Sequence, residues 1–206
     1  MSERDGGPVE RPILFNGHMV RALLAGTKTQ TRRALAPDLF ISSGGAVVRM
    51  ASAGPATTGI REAHCPYWRE PGDRLWVRET WSTHACLDHL PPGGCPKSVH
   101  YWADGEIQTG KRRPSIHMPR RLSRITLEVT GVCVERLQDI SEADALAEGI
   151  VPTCGGYGLP AGEHYHAADP RQSYFSLWES TNGPGSVEAN PWLWCVEFRR
   201  VEVGHG

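Results

Sequence analysis

The chain has no apolar run of 18 or more residues, so nothing in it is long enough to cross a bilayer as a helix. Its opening segment, MSERDGGPVERP, has no apolar core of the kind a secretory leader needs, which points to a cytoplasmic protein. It also lacks a charge of one sign: 22 Lys and Arg stand against 23 Asp and Glu, so no whole-molecule field advertises a polyanionic partner. Paired CxxC spacing is missing too. The six cysteines, at 65, 86, 95, 133, 154 and 195, are scattered, and in a reducing compartment they read as free thiols, with Cys133 and Cys195 inside apolar strand patterns as core residues. No glycine cluster follows a strand and opens a helix, which excludes a P-loop or a dinucleotide fingerprint.

Turn-formers are plentiful, with 23 glycines and 16 prolines among 206 residues, and they favour strands and long loops over a helical bundle. Residues 1–11 read as a disordered arm, and Ile13–Phe15 as a short strand. Asn16 caps a helix running to about Ala25, which Gly26 stops. Residues 28–35 leave as an extended segment. PGDRLWVRETW (71–81) is a turn and then a strand, and HYWADGE (100–106) a strand into an Asp-Gly turn. RITLEVTGVCVERL (124–137) is the longest alternating run, slipping phase at Gly131 as a bulge would. DISEADALAEG (139–149) is a short helix capped by Ser141 and closed by Gly149. A helix over Tyr174–Ser180 is stopped by Asn182-Gly183, and PWLWCVEFRRV (191–201) ends as a strand. Stretches at about 37–63, 83–98 and 150–170 read as loop insertions. The expected fold class is α+β: a small mixed β-barrel with two to three helices, one domain over 12–203.

LLAGTKTQTRR (23–33) raises the functional question, because three cations and three threonines crowd behind a helix C-terminus. A cation there is stabilised by the helix dipole by ~0.3–1 kcal/mol whether or not it has a task. In RRPSIHMPRR (112–121), Arg112, Arg113, Arg120 and Arg121 surround Ser115 and His117, and two prolines stiffen the loop. Arginine forks suit phosphate, although most basic runs are solvated faces. Trp68, Trp76, Trp81, Tyr101 and Trp102 are candidates to stack a base. Trp192 and Trp194 alternate with Val196 and Phe198 and read as core. The sets His84, Cys86, His89, Cys95 and His164, His166 hold zinc-ligand types but lack ligand spacing, so no metal and no cofactor is expected.

The order AGTKTQTRR, then PGDRLWVRETW, then a long strand leading into ISEADALAEGI, resembles the ASCH domain family, which shares a PUA-like β-barrel. The likeness is strongest to its elaborated phage or prophage members, whose segments read like RPSIHMPR and NPWLWCVEF here. It covers roughly 11–35, 65–82, 100–150 and 171–201. The resemblance implies a cleft for a nucleoside, a nucleotide or RNA, and no membrane partner. One bacterial branch hydrolyses the N4-acyl amide of acetylated cytidine with a Lys–Thr–Glu set, which falls on Lys28, Thr31 and Glu148. Other members are ribonucleases or non-catalytic nucleic-acid binders.

In the hydrolytic reading Thr31 is nucleophile or water-orienting group, and Lys28 is the base once burial or the neighbouring Arg32 and Arg33 lower its pKa. Glu148 carries the proton to the leaving amine. A carboxylate in the last turn of a helix opposes the dipole, and such violations tend to mark functional or compensated positions. Glu79 is the rival carboxylate, and its neighbour Arg78 either pairs with it or faces a phosphate; Arg32, Arg33, Arg78 and Glu79 join Arg112, Arg113, Ser115, His117, Arg120 and Arg121 as the candidate contacts to substrate or nucleic acid.

Overall fold

The computed structural model describes residues 8–44, 46–50, 60–62, 64–67, 72–96, 98–105, 110–160 and 163–201. In chain order the elements are β1 (Glu10–Leu14), α1 (Gly17–Leu24), β2 (Gln30–Ala34), β3 (Leu39–Ile41), β4 (Val47–Met50), β5 (Ile60–Glu62), β6 (Arg74–Arg78), β7 (Trp81–Ser82), β8 (His100–Tyr101), β9 (Thr126–Arg136), α2 (Glu142–Ala147), β10 (Val151–Thr153), β11 (Gly156–Gly158), α3 (Pro170–Asn182) and β12 (Trp192–Val201). The described residues form an α+β fold with three α-helices and a mixed sheet of order β1-β6-β9-β12-β2. β1 runs parallel to β6, whereas β6–β9 and β12–β2 are antiparallel. Among the described residues the sheet ends at β1 and β2 and does not close on itself.

The chain divides into two compact units, and β9 and β12 each run through both. The first unit comprises residues 1–29, 72–130 and 198–206. Its α1 begins where Asn16 Oδ1 accepts from Met19 N and buries Val20, Ala22 and Leu23. Gly26, at φ +74°, ends the helix in the left-handed conformation that a side chain disfavours. β1 starts at Glu10, so the segment read as an arm through residue 11 is partly strand. Asp73 fixes that start: its Oδ1 accepts from Val9 N at 3.2 Å and its Oδ2 from Arg11 Nη1 at 2.9 Å. A satellite core of Trp81, Cys95, Met118 and Leu122 lies beneath the 3-10 turns of 85–94 and 115–122.

The second unit comprises residues 30–71 and 131–197. Its core joins Leu137, Ile140, Ala145 and Ile150 with Tyr174, Leu177, Trp178 and Leu193. Two of the expected loop insertions carry strands. The 37–63 stretch contains the β3-β4-β5 meander, and 150–170 contains the β10-β11 hairpin. α3 starts four residues earlier than the apolar pattern suggests, because Asp169 accepts from Arg171 N and Pro170 occupies the first turn. Leu193, Trp194, Cys195 and Val196 are all buried, so β12 is covered on both faces rather than one. Cys133, expected in the core, is exposed, whereas Cys195 is buried.

Candidate functional site

In the first unit the chain leaves α1 through one carbonyl. Ala22 O accepts from Thr27 N at 3.0 Å, Lys28 N at 3.2 Å and Thr27 Oγ1 at 3.2 Å. This cap turns the backbone sharply and withdraws Lys28 from solvent to 2% exposure. The Lys28 ammonium lies 5.7 Å from the centre of the Phe15 ring, a cation–π distance. Phe15 is itself braced edge-on by Phe198, 6.4 Å between centroids. Lys28 is therefore withdrawn from water, with its ammonium over the Phe15 ring.

In the second unit β2 is held against β12 in the register Thr31↔Val196, Arg32↔Cys195 and Arg33↔Trp194. Alternation puts Thr31 and the half-buried Arg33 on one face, and Gln30 and Arg32 on the other. Thr31 is 1% exposed. Arg32 faces an acidic cluster. Its Nε donates to Glu135 Oε1 at 2.5 Å, and its Nη1 donates to Glu148 Oε1 at 3.2 Å and to Gln30 Oε1 at 3.1 Å. Its Nη2 stands 3.7 Å from Asp144 Oδ2. Burial alone would disfavour the Arg32 charge, but Glu148, Cys195 and Glu135 push its pKa above the ordinary arginine value.

Glu148 reaches Arg32 because α2 is bounded on both sides. Ser141 Oγ accepts from Asp144 N and donates to Asp144 Oδ2 at 2.6 Å. Gly149, at φ +103°, closes the C-terminus, with its N–H on Leu146 O and the Ile150 N–H on Ala145 O. Glu148 is the C-cap, 4% exposed, at the end where the helix dipole is negative. Burial pulls the Asp144 carboxyl upward, but the Ser141 hydroxyl, Gln30 and Arg32 hold it below its usual range. Burial pushes the Tyr174 hydroxyl well above the usual tyrosine value, and the nearby Glu148 adds to this. The sequence had placed Arg32 in contact with ligand; the structure gives its Nε and Nη1 to protein acceptors.

The rival carboxylate has a different partner from the expected one. Glu79 is bound at both oxygens by Arg124, Nε–Oε1 2.9 Å and Nη2–Oε2 3.0 Å, and Arg124 also holds Asp104 at 2.8 and 2.7 Å. Its guanidinium stacks 4.0 Å from the Tyr101 ring centre. Arg78 turns instead to the Trp76 ring at 4.6 Å and donates to Ile116 O. Alternation at the end of β6 explains the swap: Arg78 and Glu79 are chain neighbours and point to opposite sides, whereas Arg124 reaches Glu79 from the segment just before β9.

The arginines of the 112–121 loop do not converge on one point. Arg113 is buried, 5.2 Å from the Trp81 ring centre, and its Nη2 donates to Leu87 O and Asp88 O. Arg120 is bound to both carboxylate oxygens of Glu10 at 2.8 and 3.1 Å. Arg121 donates to the carbonyls of Pro92, Gly93 and Cys95. Arg112 is exposed and stacks 5.1 Å from Trp102. His117 is exposed and Ser115 half-buried in the same 3-10 turn. Trp76, Trp102 and Tyr101, proposed for stacking a base, each carry an arginine over the ring; Trp81 is fully buried, and Trp68 lies outside the described residues.

His84 Nδ1 and Cys86 Sγ are 3.2 Å apart, but Cys95 Sγ is turned to Pro91 O, and among the described residues no three His, Cys, Asp or Glu side chains are grouped to hold a metal. His164 bonds Ser176 while His166 Nδ1 accepts from Ala168 N and Asp169 N. Of the residues singled out in the sequence, Arg32 and Glu148 are brought together within the second unit. Gln30, Glu135, Asp144 and Tyr174 join them and were not foreseen, although the acid-rich ISEAD start of α2 was a usable signal. No protein-family model matches the chain, and neither the characterised proteins nor the solved structures contain a significant match to it.

Proposed function

We propose that this chain is an ASCH-type protein with a PUA-like ancestry that binds a nucleobase, nucleoside or RNA end, and that it hydrolyses an N4-acylcytidine-type amide. The observation carrying the reading is burial. Lys28, Thr31 and Glu148, the positions matching the family's Lys–Thr–Glu set, are exposed by only 2%, 1% and 4%. Polar and charged groups are costly to withdraw from water, and such positions concentrate at functional sites. Thr31 supplies or orients the attacking oxygen and Lys28 takes the proton it loses; Glu148, ionised at rest, is recharged with that proton and hands it to the exocyclic nitrogen that leaves, and where Thr31 itself attacks, water then cleaves the acyl ester to free the carboxylic acid.

The test is incubation of the purified chain with N4-acetylcytidine, its free base and short RNA, with products followed by mass. Release of acetate and cytidine supports the hydrolase. Binding without turnover supports a non-catalytic nucleobase module, and shortened RNA a ribonuclease.

A further inference from the structure

Arg32 stands between the residues already assigned roles and has none of its own. It follows Thr31 directly but points to the other face of β2. Its side chain is 1% exposed, and four groups from three elements surround it: Gln30 from its own strand, Glu135 from β9, and Asp144 and Glu148 from α2. Asp144 and Glu148 are four residues apart and so share one face of the helix. A single guanidinium therefore addresses both the first turn of α2 and its C-cap.

We infer that Arg32 is a positioning residue that fixes the Glu148 carboxylate, with Glu135 as the anchor that holds the guanidinium in place; the inference rests on the reading of Glu148 as proton carrier. The geometry makes the division of labour. The shortest bond is to Glu135, at 2.5 Å from Nε, and the bond to Glu148 is the longer one at 3.2 Å from Nη1. Because the guanidinium is planar, fixing Nε fixes the direction in which Nη1 points. A lysine would carry the charge but not the fork. The positive charge also offsets the negative end of the α2 dipole, which otherwise opposes an ionised Glu148. Within the second unit Tyr174 and Cys195 also lie near Glu148 and Arg32, and both are raised by burial, so both stay neutral there. A ligand phosphate finds the Arg32 Nε and Nη1 already committed.

The experiment measures kcat and KM on N4-acetylcytidine for wild type, Arg32→Lys, Arg32→Gln and Glu135→Gln, each alone and combined with Glu148→Gln. Misplacing a reacting group by about 1 Å costs on the order of 10²-fold. Arg32→Gln is expected to lower kcat by about that factor with KM within about threefold, and Arg32→Lys to recover less than about tenfold. In the Glu148→Gln background Arg32→Gln should change kcat by less than about twofold, since its target is gone. A loss of equal size in both backgrounds, or a change confined to KM, overturns the inference. Should the Arg32 variants fail to fold, Glu135→Gln carries the same expectation at about three- to tenfold.

A readout without turnover separates this inference from the reading beneath it. The nitrogen-15 spectrum of the Arg32 guanidinium should change on Glu148→Gln and lose its slowly exchanging Nε–H on Glu135→Gln. Unchanged guanidinium signals overturn the positioning role. Both spectral changes in the variants, with a wild-type protein that cleaves no acylcytidine, overturn only the hydrolase.

Discussion

Arg124 grips Glu79 by both carboxylate oxygens, at 2.9 and 3.0 Å, and the Glu79 side chain is 2% exposed. Burial raises the Glu79 pKa above its ordinary 4.5, and the Arg124 contacts pull against that rise without cancelling it. The two partners are not equivalent. Removing Glu79 leaves Arg124 with Asp104, whereas removing Arg124 leaves a buried carboxylate uncompensated. Arg124→Gln should therefore cost about 3 kcal/mol near neutral pH, and Glu79→Gln much less. A raised folded pKa means that the native state binds the proton more tightly, so stability falls as pH rises from about 4.5 through the folded value. Urea midpoints at about pH 4 and about pH 7 should show the Arg124→Gln deficit shrinking on the acid side.

Two glycines with close neighbours should respond differently to alanine. A Cβ on Gly110 would stand 1.8 Å from the Thr83 carbonyl oxygen, on a backbone at φ +78°. Neither can give way, because Thr83 is fully buried beside β7. A Cβ on Gly131 would meet Glu197 Oε2 at 2.9 Å, the flexible end of an exposed side chain on β12. Gly110→Ala should cost on the order of 3 kcal/mol or more, and Gly131→Ala under about 1 kcal/mol, read as shifts of the thermal midpoint.

Gly131 also shows how far the sequence could be read. Its break in the alternating run predicted a bulge; β9 is one strand from Thr126 to Arg136, and at Gly131 the missing side chain leaves room for Glu197. Local signals were dependable where local chemistry decides: Asn16 and Ser141 cap their helices, and Gly26 and Gly149 end them, as written. Pairings between distant segments were not legible. Arg124 reaches Glu79 across 45 residues and Arg32 reaches Glu148 across 116, and nothing in a single sequence marks which arginine faces which acid. Adjacent residues were the natural guess for Arg78 and Glu79, yet strand alternation sends them apart.

The arginine loop now divides into structural and available cations. Arg113 is buried on Trp81 and holds two carbonyls, so Arg113→Gln should lower stability by about 1–3 kcal/mol, measured by chemical denaturation. Arg112 is exposed over Trp102, and its replacement should leave stability within about 0.5 kcal/mol. If short RNA binds here, Arg112→Gln should reduce the slope of log affinity against log salt by about 0.7 for one phosphate contact on a single strand. An unchanged slope would mark Arg112 as solvated surface.

Lys28 and Thr31 are expected to act as one unit. Lys28→Ala and Thr31→Ala should each reduce turnover of N4-acetylcytidine by about 10²-fold or more, and the double variant should lose little beyond the worse single one. Steady-state rates at saturating nucleoside, normalised to folded protein by circular dichroism, check this. Wild-type rates in both singles on every acylcytidine tried would remove the amidohydrolase assignment.

The last comparison sets the two buried carboxylates against each other. Glu148 sits at a helix C-cap, where the dipole opposes its charge, and Arg32 offsets that opposition at 3.2 Å. Glu79 sits behind a two-pronged arginine contact that leaves both its oxygens occupied. A proton carrier needs an oxygen that can change partners during a turnover, and Glu79 would have to break a short two-pronged contact to provide one, where the Arg32 contact to Glu148 is the longer at 3.2 Å. Substitution by glutamine keeps the shape and removes the proton chemistry. Glu148→Gln should therefore lower kcat by about 10²–10⁴-fold while nucleoside affinity stays within about threefold of wild type. Glu79→Gln should leave the rate per folded molecule within about twofold and show its effect in the denaturation midpoint instead. Calorimetric binding beside steady-state kinetics separates the two outcomes. The opposite pattern, with activity following Glu79, would move the proton chemistry to the Arg124–Asp104 cluster in the first unit.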